Sequence, residues 1–150
     1  MSRFRNPPNQ QGFSLIEVLV AVVVLSIGLL GLAALQLSGL RVGQSSFYRA
    51  QAAQFATDMA DRMRANLGEA RQYGLALADA TPTGTSVRDR DRAEWRARLR
   101  TLPGGNGAIA IQQNVSGVDV VTITVRWDDS RGGGATATDF VLVTNLRAPS

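Results

Sequence analysis

Three residue types that carry much of protein chemistry are missing from this chain. It has no cysteine and no histidine, and all 16 of its basic residues are arginine, so it has no lysine either. Without cysteine the chain has neither a disulfide framework nor a thiolate metal site. Without histidine it lacks the commonest general base and the commonest metal ligand, and without lysine it lacks a Ser–Lys catalytic pair. We therefore expect no enzyme and no cofactor.

Paired carboxylates are the one catalytic arrangement that the composition still permits. Asp128 and Asp129 are adjacent in a turn-like segment, where solvated loop residues are the default. An acid pair for glycoside chemistry must face across a substrate cleft, and nothing in the pattern requires one. A calcium site at Asp128, Asp129 and Asp139 would have the oxygen ligands that calcium prefers, but nothing else supports it. We predict no catalytic and no metal-ligating residue.

The charge of the chain gives only a weak indication of a nucleic-acid partner. The formal net charge is +4, and Arg3 and Arg5, which precede a long apolar run, account for part of it. A net charge of this size bears on solubility and non-specific association rather than on a particular ligand.

The longest apolar run stands close to the N-terminus. Residues 13–35 read FSLIEVLVAVVVLSIGLLGLAAL, with Glu17 as their only charge. As a helix, these 23 residues rise about 1.5 Å each and span roughly 34 Å, enough to cross a bilayer. The arginines before the run predict an N-terminus in the cytoplasm and export of everything after Leu35.

Three ordinary explanations compete for this run. A secretory signal peptide has an apolar region of about 7–15 residues and a small-x-small cleavage site, whereas this run is longer and no convincing site follows it. A plain signal anchor fits the length and the flanks, and a buried core helix does not need so long an apolar run. None of the three explains Glu17, since an acid inside a membrane helix is costly and indicates a functional site.

The residues around Glu17 resemble the processing signal of type IV pilins and pseudopilins. Residues 12–17 read GFSLIE and follow a basic segment. The resemblance implies that a prepilin peptidase cuts between Gly12 and Phe13 and methylates the new N-terminus at Phe13. It also implies that Glu17 pairs with the N-terminal amine of a neighbouring subunit during assembly. Such an ammonium group offsets the free-energy cost of burying a carboxylate. Many pilins carry a proline in this helix, whereas this chain has none between Phe13 and Thr81.

The same resemblance implies a fold, partners and a location. The fold is α+β and pilin-like, with a long N-terminal helix packed on a small antiparallel sheet. The partners are other major and minor pilins, the prepilin peptidase and the inner membrane. The chain would cross that membrane once, with its C-terminal domain in the periplasm, before it joins a pilus. The residues expected in the membrane or filament core are Leu15, Ile16, Val18, Leu19, Leu25, Ile27, Leu29 and Leu30.

Beyond the apolar run the pattern turns amphipathic. Phe55, Met59, Met63 and Leu67 recur at four-residue spacing, which predicts one apolar stripe on a helix that runs from Phe13 to Leu67. Residues 26–36 and 60–66 resemble the PilV type of minor pilin. Taken alone, residues 60–66 (ADRMRAN) are typical of a solvated helix surface. The predicted organisation is a leader at 1–12, a transmembrane or filament-core helix at 13–40, its amphipathic second half at 41–67, and an exported α+β domain at 68–150.

The exported domain is predicted to begin with two short helices, at Glu69–Ala78 and Val87–Leu102. The second has a narrow apolar seam. It also carries six arginines: Arg88, Arg90, Arg92, Arg96, Arg98 and Arg100. Such a helix has the charge to bind DNA phosphates, but interleaved acids cancel half of that charge, and a solvated face is the preferred interpretation.

Three strand-like runs follow, at Ala108–Val115, Asp119–Trp127 and Thr136–Thr144. Period-two alternation and short connections predict an antiparallel meander, one face of which covers the amphipathic half of the long helix. The glycines at 132–134 look like a phosphate loop but lack its Gly-Lys-Ser/Thr ending and a following helix. They are interpreted as a hairpin tip.

Three functions remain open at this point. The first is a minor pilin that takes part in type IV pilus assembly or in initiation at the pilus tip. The second is a pseudopilin of a type II secretion system, which shares the whole N-terminal signal and which genomic neighbours would separate from the first. The third is an adhesin or DNA-binding subunit at a pilus tip, for which salt-dependent DNA binding is the discriminating observation.

Overall fold

The computed structural model describes residues 14–114 and 118–147. Its main elements are helices α1 (Leu15–Ala65) and α2 (Val87–Leu99) and strands β1 (Asn106–Gln112), β2 (Val118–Trp127) and β3 (Thr138–Arg147). Short 3-10 helices occupy Leu67–Gln72 and Ser130–Gly132. The chain divides into two compact units, residues 1–39 and 40–150.

The described part of the first unit is helical and buries nothing. Every residue of α1 up to Gly39 is exposed. Its sequence has no proline and is richest in leucine, a good helix former. Ser14 starts the helix, because its carbonyl accepts the N–H groups of Glu17 and Val18 at 3.0 and 3.3 Å. A helix that is apolar on all sides needs an apolar environment from outside its own unit.

The second unit contains a three-stranded antiparallel sheet in the order β1-β2-β3. The register runs from Asn106 opposite Arg126 to Gln112 opposite Val120, and from Val118 opposite Arg147 to Trp127 opposite Thr138. The long helix packs on this small sheet, so the predicted α+β fold and the meander are confirmed, and the arrangement is consistent with a pilin fold.

One hydrophobic core joins α1, α2 and the inner face of the sheet. β2 alternates between buried and half-buried residues along its whole length, as a strand with one covered face does. Trp95 of α2 is fully buried, and its indole N–H donates to the carbonyl of Phe55 at 2.9 Å. The buried stripe of α1 is Ala52, Ala56, Met59, Ala60 and Met63. Phe55 is only partly buried and Leu67 is exposed, so the alanines, rather than these two residues, form the centre of the stripe.

The predicted helix at Glu69–Ala78 is wrong. α1 ends at Ala65, the 3-10 helix ends at Gln72, and Leu75 then forms a bridge with Ile109, with N–H···O distances of 3.0 and 2.8 Å. Leu75 is buried by this extended pairing at the edge of β1, which a continued helix would prevent. Gly68 and Gly74 further weaken helix formation here.

The other boundaries differ by a few residues. α2 ends at Leu99 rather than Leu102, because the N–H groups of Thr101 and Leu102 donate to the carbonyls three residues back at 3.0 Å each instead of continuing the α-helical pattern. Gly104 then has a left-handed backbone (φ +59°). β1 begins two residues earlier than predicted, and Val115 lies outside the described residues. β3 runs to Arg147 instead of Thr144, since it pairs with β2 along all ten of its residues.

Candidate functional site

The N-terminal site is described from Ser14 onward. Gly12 and Phe13, the predicted cleavage and methylation residues, lie outside the described residues. Glu17 lies in the first turn of α1, where a carboxylate is stabilised by the helix dipole. It is exposed, and within residues 14–114 and 118–147 its carboxylate has no hydrogen-bond or ion-pair partner.

The surroundings of Glu17 are apolar. Val18, Ala21, Val22 and Leu25 line a shallow depression beside it, because the small side chain of Ala21 stands one turn further along the same helix face. By length and composition α1 is able to cross a membrane, and its most apolar window is wholly unburied. All the predicted membrane or filament-core side chains are exposed: Leu15, Ile16, Val18, Leu19, Leu25, Ile27, Leu29 and Leu30.

This arrangement supplies one binding group, the carboxylate of Glu17. An unpaired carboxylate on an apolar surface is stabilised when a cation covers it in the same apolar environment. Within the described residues no nucleophile–base pair lies beside Glu17, because the side chains that share its depression are aliphatic.

Comparison with known proteins bears on this segment. Residues 7–33 match the family model of the prokaryotic N-terminal methylation motif. The chain carries an N-terminal methylation motif. The matched range contains Gly12, Phe13 and Glu17. No curated protein and no solved structure matches the chain.

The methylation motif supports a type IV pilin-like family and indicates a pilin or pseudopilin processed by a prepilin peptidase. Proteins of this kind associate with other pilins, and the motif is structural rather than catalytic. Together with the apolar helix it fits anchoring in the inner membrane.

The segment at residues 60–66, interpreted above as a solvated surface, instead joins α1 to α2. Ala60 and Met63 are buried. Arg62 donates to Asp58 at 3.0 Å and to Asp91 and Glu94 of α2 at 2.9 Å each. Only the spacing of Met59 and Met63 signalled this burial, and the acceptors on α2 are about thirty residues away in sequence, beyond any local pattern.

Tyr73 completes this junction from the other side. Its hydroxyl donates to Asp91 at 2.7 Å and accepts the side-chain N–H of Asn66 at 3.2 Å. Burial, and secondarily the hydrogen bond to Asp91, raises the pKa of Tyr73 to about 12. The phenol is therefore held in its neutral form well above its usual range.

The arginines of α2 are mostly engaged inside the unit. Arg96 is 8% exposed and donates to the carbonyls of Ala76 and Asp79 at 2.6 and 3.3 Å. Arg92 donates to the carbonyl of Gly74 at 2.8 Å. Arg88 pairs with Asp89 and Arg98 with Asp58. Among the described residues, the side chains of Arg90 on α2 and of Arg100 just after it lack such a partner.

The three aspartates considered for calcium do not form a site. Asp139 pairs with Arg126 at 2.7 Å, and the hydrogen bond from that guanidinium holds the pKa of Asp139 below its usual range. Asp128 accepts the backbone N–H of Ser130 at 2.9 Å, and Asp129 bonds to Ser45. Within residues 14–114 and 118–147 no group of three or more acidic, histidine or cysteine side chains is placed to hold a metal ion.

Proposed function

We propose that this chain is a minor pilin, of the PilV type, that takes part in type IV pilus assembly or in initiation at the pilus tip. In this proposal a prepilin peptidase cuts between Gly12 and Phe13 and methylates Phe13. The observation that carries it is the methylation motif at residues 7–33 with Glu17 inside it. The apolar part of α1, whose most hydrophobic window is wholly exposed, supports the proposal, because such a segment needs lipid before assembly and other apolar helices after it.

Glu17 has a defined role in this proposal. It receives the N-terminal ammonium of a neighbouring subunit, and only a correctly staggered neighbour places that charge beside it. The absence of a partner for Glu17 among the described residues and the aliphatic side chains around it support this role, since an unpaired carboxylate in an apolar setting is costly.

The first experiment measures the mass of the N-terminal peptide from cells with and without a prepilin peptidase. We expect a chain that starts at N-methylated Phe13 only when the enzyme is present. Replacing Gly12 (Gly12→Val) should block cleavage in the same cells. A chain that keeps residues 1–12 in both strains would make it a plain signal-anchored protein and would overturn the proposal.

The second experiment tests assembly. Glu17→Ala should be cleaved normally, yet its amount in sheared surface fibres should fall about tenfold or more, as loss of one charged hydrogen bond predicts. Ser26→Ala is the matched control, because Ser26 only donates to the carbonyl of Val22 within the same helix at 2.7 Å. Normal incorporation of Glu17→Ala would contradict the pairing role.

A pseudopilin of a type II secretion system is the alternative that the methylation motif supports equally. Strains that lack one machinery or the other separate the two. A chain that is absent from surface fibres only when the pilus machinery is removed is a pilin. If removal of this chain instead stops protein secretion and leaves pili unchanged, it is a pseudopilin.

A further inference from the structure

Asp129, which lies two residues after the end of β2, has a buried carboxylate outside the N-terminal motif. The residue is 3% exposed. Its Oδ2 accepts the hydroxyl of Ser45, on α1, at 2.6 Å, and its Oδ1 is buried and has no hydrogen-bond partner among the residues that the structure describes. Burying a charged group with an unpaired oxygen costs free energy. A hydrogen-bond donor at Oδ1 would therefore stabilise this carboxylate.

The glycine run at residues 132–134 is built around this carboxylate. A Cβ at Gly132 would lie 2.8 Å from Oδ1, and one at Gly134 would lie 2.5 Å from Oδ2. The backbone N–H groups of these two glycines donate to the carbonyl of Asp129 at 2.9 and 3.0 Å. The side chain of Ser45 therefore covers the carboxylate on the side of Oδ2, and the glycine backbone lies against Oδ1, so a donor from outside reaches Oδ1 from the side of the glycine loop.

Asp129 lines a groove of about 620 Å³ in the second unit. One wall is apolar and consists of Val42, Ala50 and Ala53 on α1 and Phe140 on β3, whereas polar side chains and the glycine loop form the rest of the lining. Arg49 lines the same groove, yet no ion pair joins it to Asp129 in the part of the chain that the structure describes. An apolar wall with an unsatisfied carboxylate fits a side chain that has an apolar stem and a cationic head.

We propose that this groove receives an arginine or lysine side chain from a neighbouring subunit that carries the same N-terminal motif, and that its cationic head binds Oδ1 of Asp129. The identity of the partner rests on the proposed pilin function. The carboxylate repels phosphate, and a single carboxylate falls far short of the six to eight oxygens that calcium takes. If the partner is a second copy, the head is a guanidinium, because the chain has no lysine.

The test uses the full chain in cells that make the fibres. A photo-crosslinking residue replaces Ala50, which is exposed at the groove. We expect a crosslink to a chain that carries an N-terminal methylation motif. Asp129→Asn should lower its yield about tenfold or more, as loss of one charged hydrogen bond predicts. Asp129→Asn keeps the size of the side chain and an acceptor for Ser45, and unchanged fluorescence of Trp95 and Trp127 verifies folding.

Asp128→Asn is the matched control, since Asp128 faces a different cleft with Arg100 and Arg131, and it should leave the crosslink unchanged. Three outcomes would overturn the proposal: no crosslink at all, a crosslink to a protein without the motif, or a crosslink that Asp129→Asn does not reduce. The same samples are scored for cleavage at Gly12. If cleavage and fibre incorporation are normal but no crosslink depends on Asp129, only the proposal about the groove is refuted. If the crosslink depends on Asp129 but cleavage is absent, only the proposed processing is refuted.

Discussion

At the scale of single residues, a few polar side chains hold α1 against α2. Asp91 is the shared acceptor, because it receives both Arg62 and the hydroxyl of Tyr73. The side chains of Arg62 and Asp91 are only 19% and 17% exposed, so water screens this pair less than it screens a surface pair. Removing one member leaves the others partly buried without their partners, which is more costly than losing an exposed ion pair.

Tyr73 should make stability depend on alkaline pH. Its pKa is raised from 10.0 to about 12 in the folded chain, so below pH 10 both states keep the proton and there is no dependence. Above pH 10 the unfolded chain ionises first, and stability falls as the pH rises towards 12. Urea unfolding at pH 9, 10 and 11, followed by tryptophan fluorescence, measures this slope. Tyr73→Phe should flatten it and Tyr48→Phe should not, and a slope that persists in Tyr73→Phe would refute the assignment.

Arg62 should matter more for stability than Arg64, although both lie at the end of α1. Arg62→Ala should lower the free energy of unfolding by about 2–3 kcal/mol, because it leaves the largely buried carboxylate of Asp91 without a cation and with only the hydroxyl of Tyr73 as a side-chain donor among the described residues. Arg64→Ala should cost less than about 1 kcal/mol, since Arg64 and Asp61 are 47% and 64% exposed. Denaturant titration monitored at the two buried tryptophans compares the variants. Equal losses would show that the three bonds of Arg62 add nothing beyond a surface pair.

At the scale of elements, periodicity predicts the parts of the fold whose contacts repeat along the chain. The four-residue spacing on α1 and the alternation of Val121, Ile123 and Val125 on β2 were sufficient to predict the long helix and the sheet. The predicted helix at Glu69–Ala78 was wrong beyond Gln72, because the conformation there depends on Ile109, the distant partner of Leu75. The same holds for the site residues. Glu17 can be recognised from its immediate sequence neighbours, whereas the groove at Asp129 depends on a contact with Ser45, 84 residues away in sequence.

The packing of α2 against β1 should depend on the absence of a side chain at Gly107. A Cβ there would collide with the ring of Trp95 and lie 2.7 Å from a methyl group of Leu99. Gly107→Ala should therefore lower the free energy of unfolding by about 1–3 kcal/mol. Gly68→Ala is the control, because a Cβ at Gly68 meets nothing within 4 Å, and it should be neutral or slightly stabilising. If both variants unfold at the same denaturant concentration, the close approach of α2 to Gly107 does not determine stability.

At the scale of the whole molecule, the two units differ in how much apolar surface they expose. The described residues of the first unit expose apolar side chains along all of α1 up to Gly39, whereas the second unit buries its own core. Among the described residues every buried side chain lies at Ala52 or later. We therefore expect the first unit to need lipid or other helices around it, and the second unit to fold on the core that it buries itself.

A chain that starts at Leu40 should consequently be soluble and folded without detergent. Because the removed residues contribute no buried side chain to the described core, its unfolding midpoint in urea should match that of the full chain in detergent, with tryptophan fluorescence as the probe. The full chain should stay with membranes during carbonate extraction, and the shortened chain should not. A shortened chain that aggregates or unfolds at a lower urea concentration would mean that the apolar helix also stabilises the second unit, and the two could not then be treated as independent.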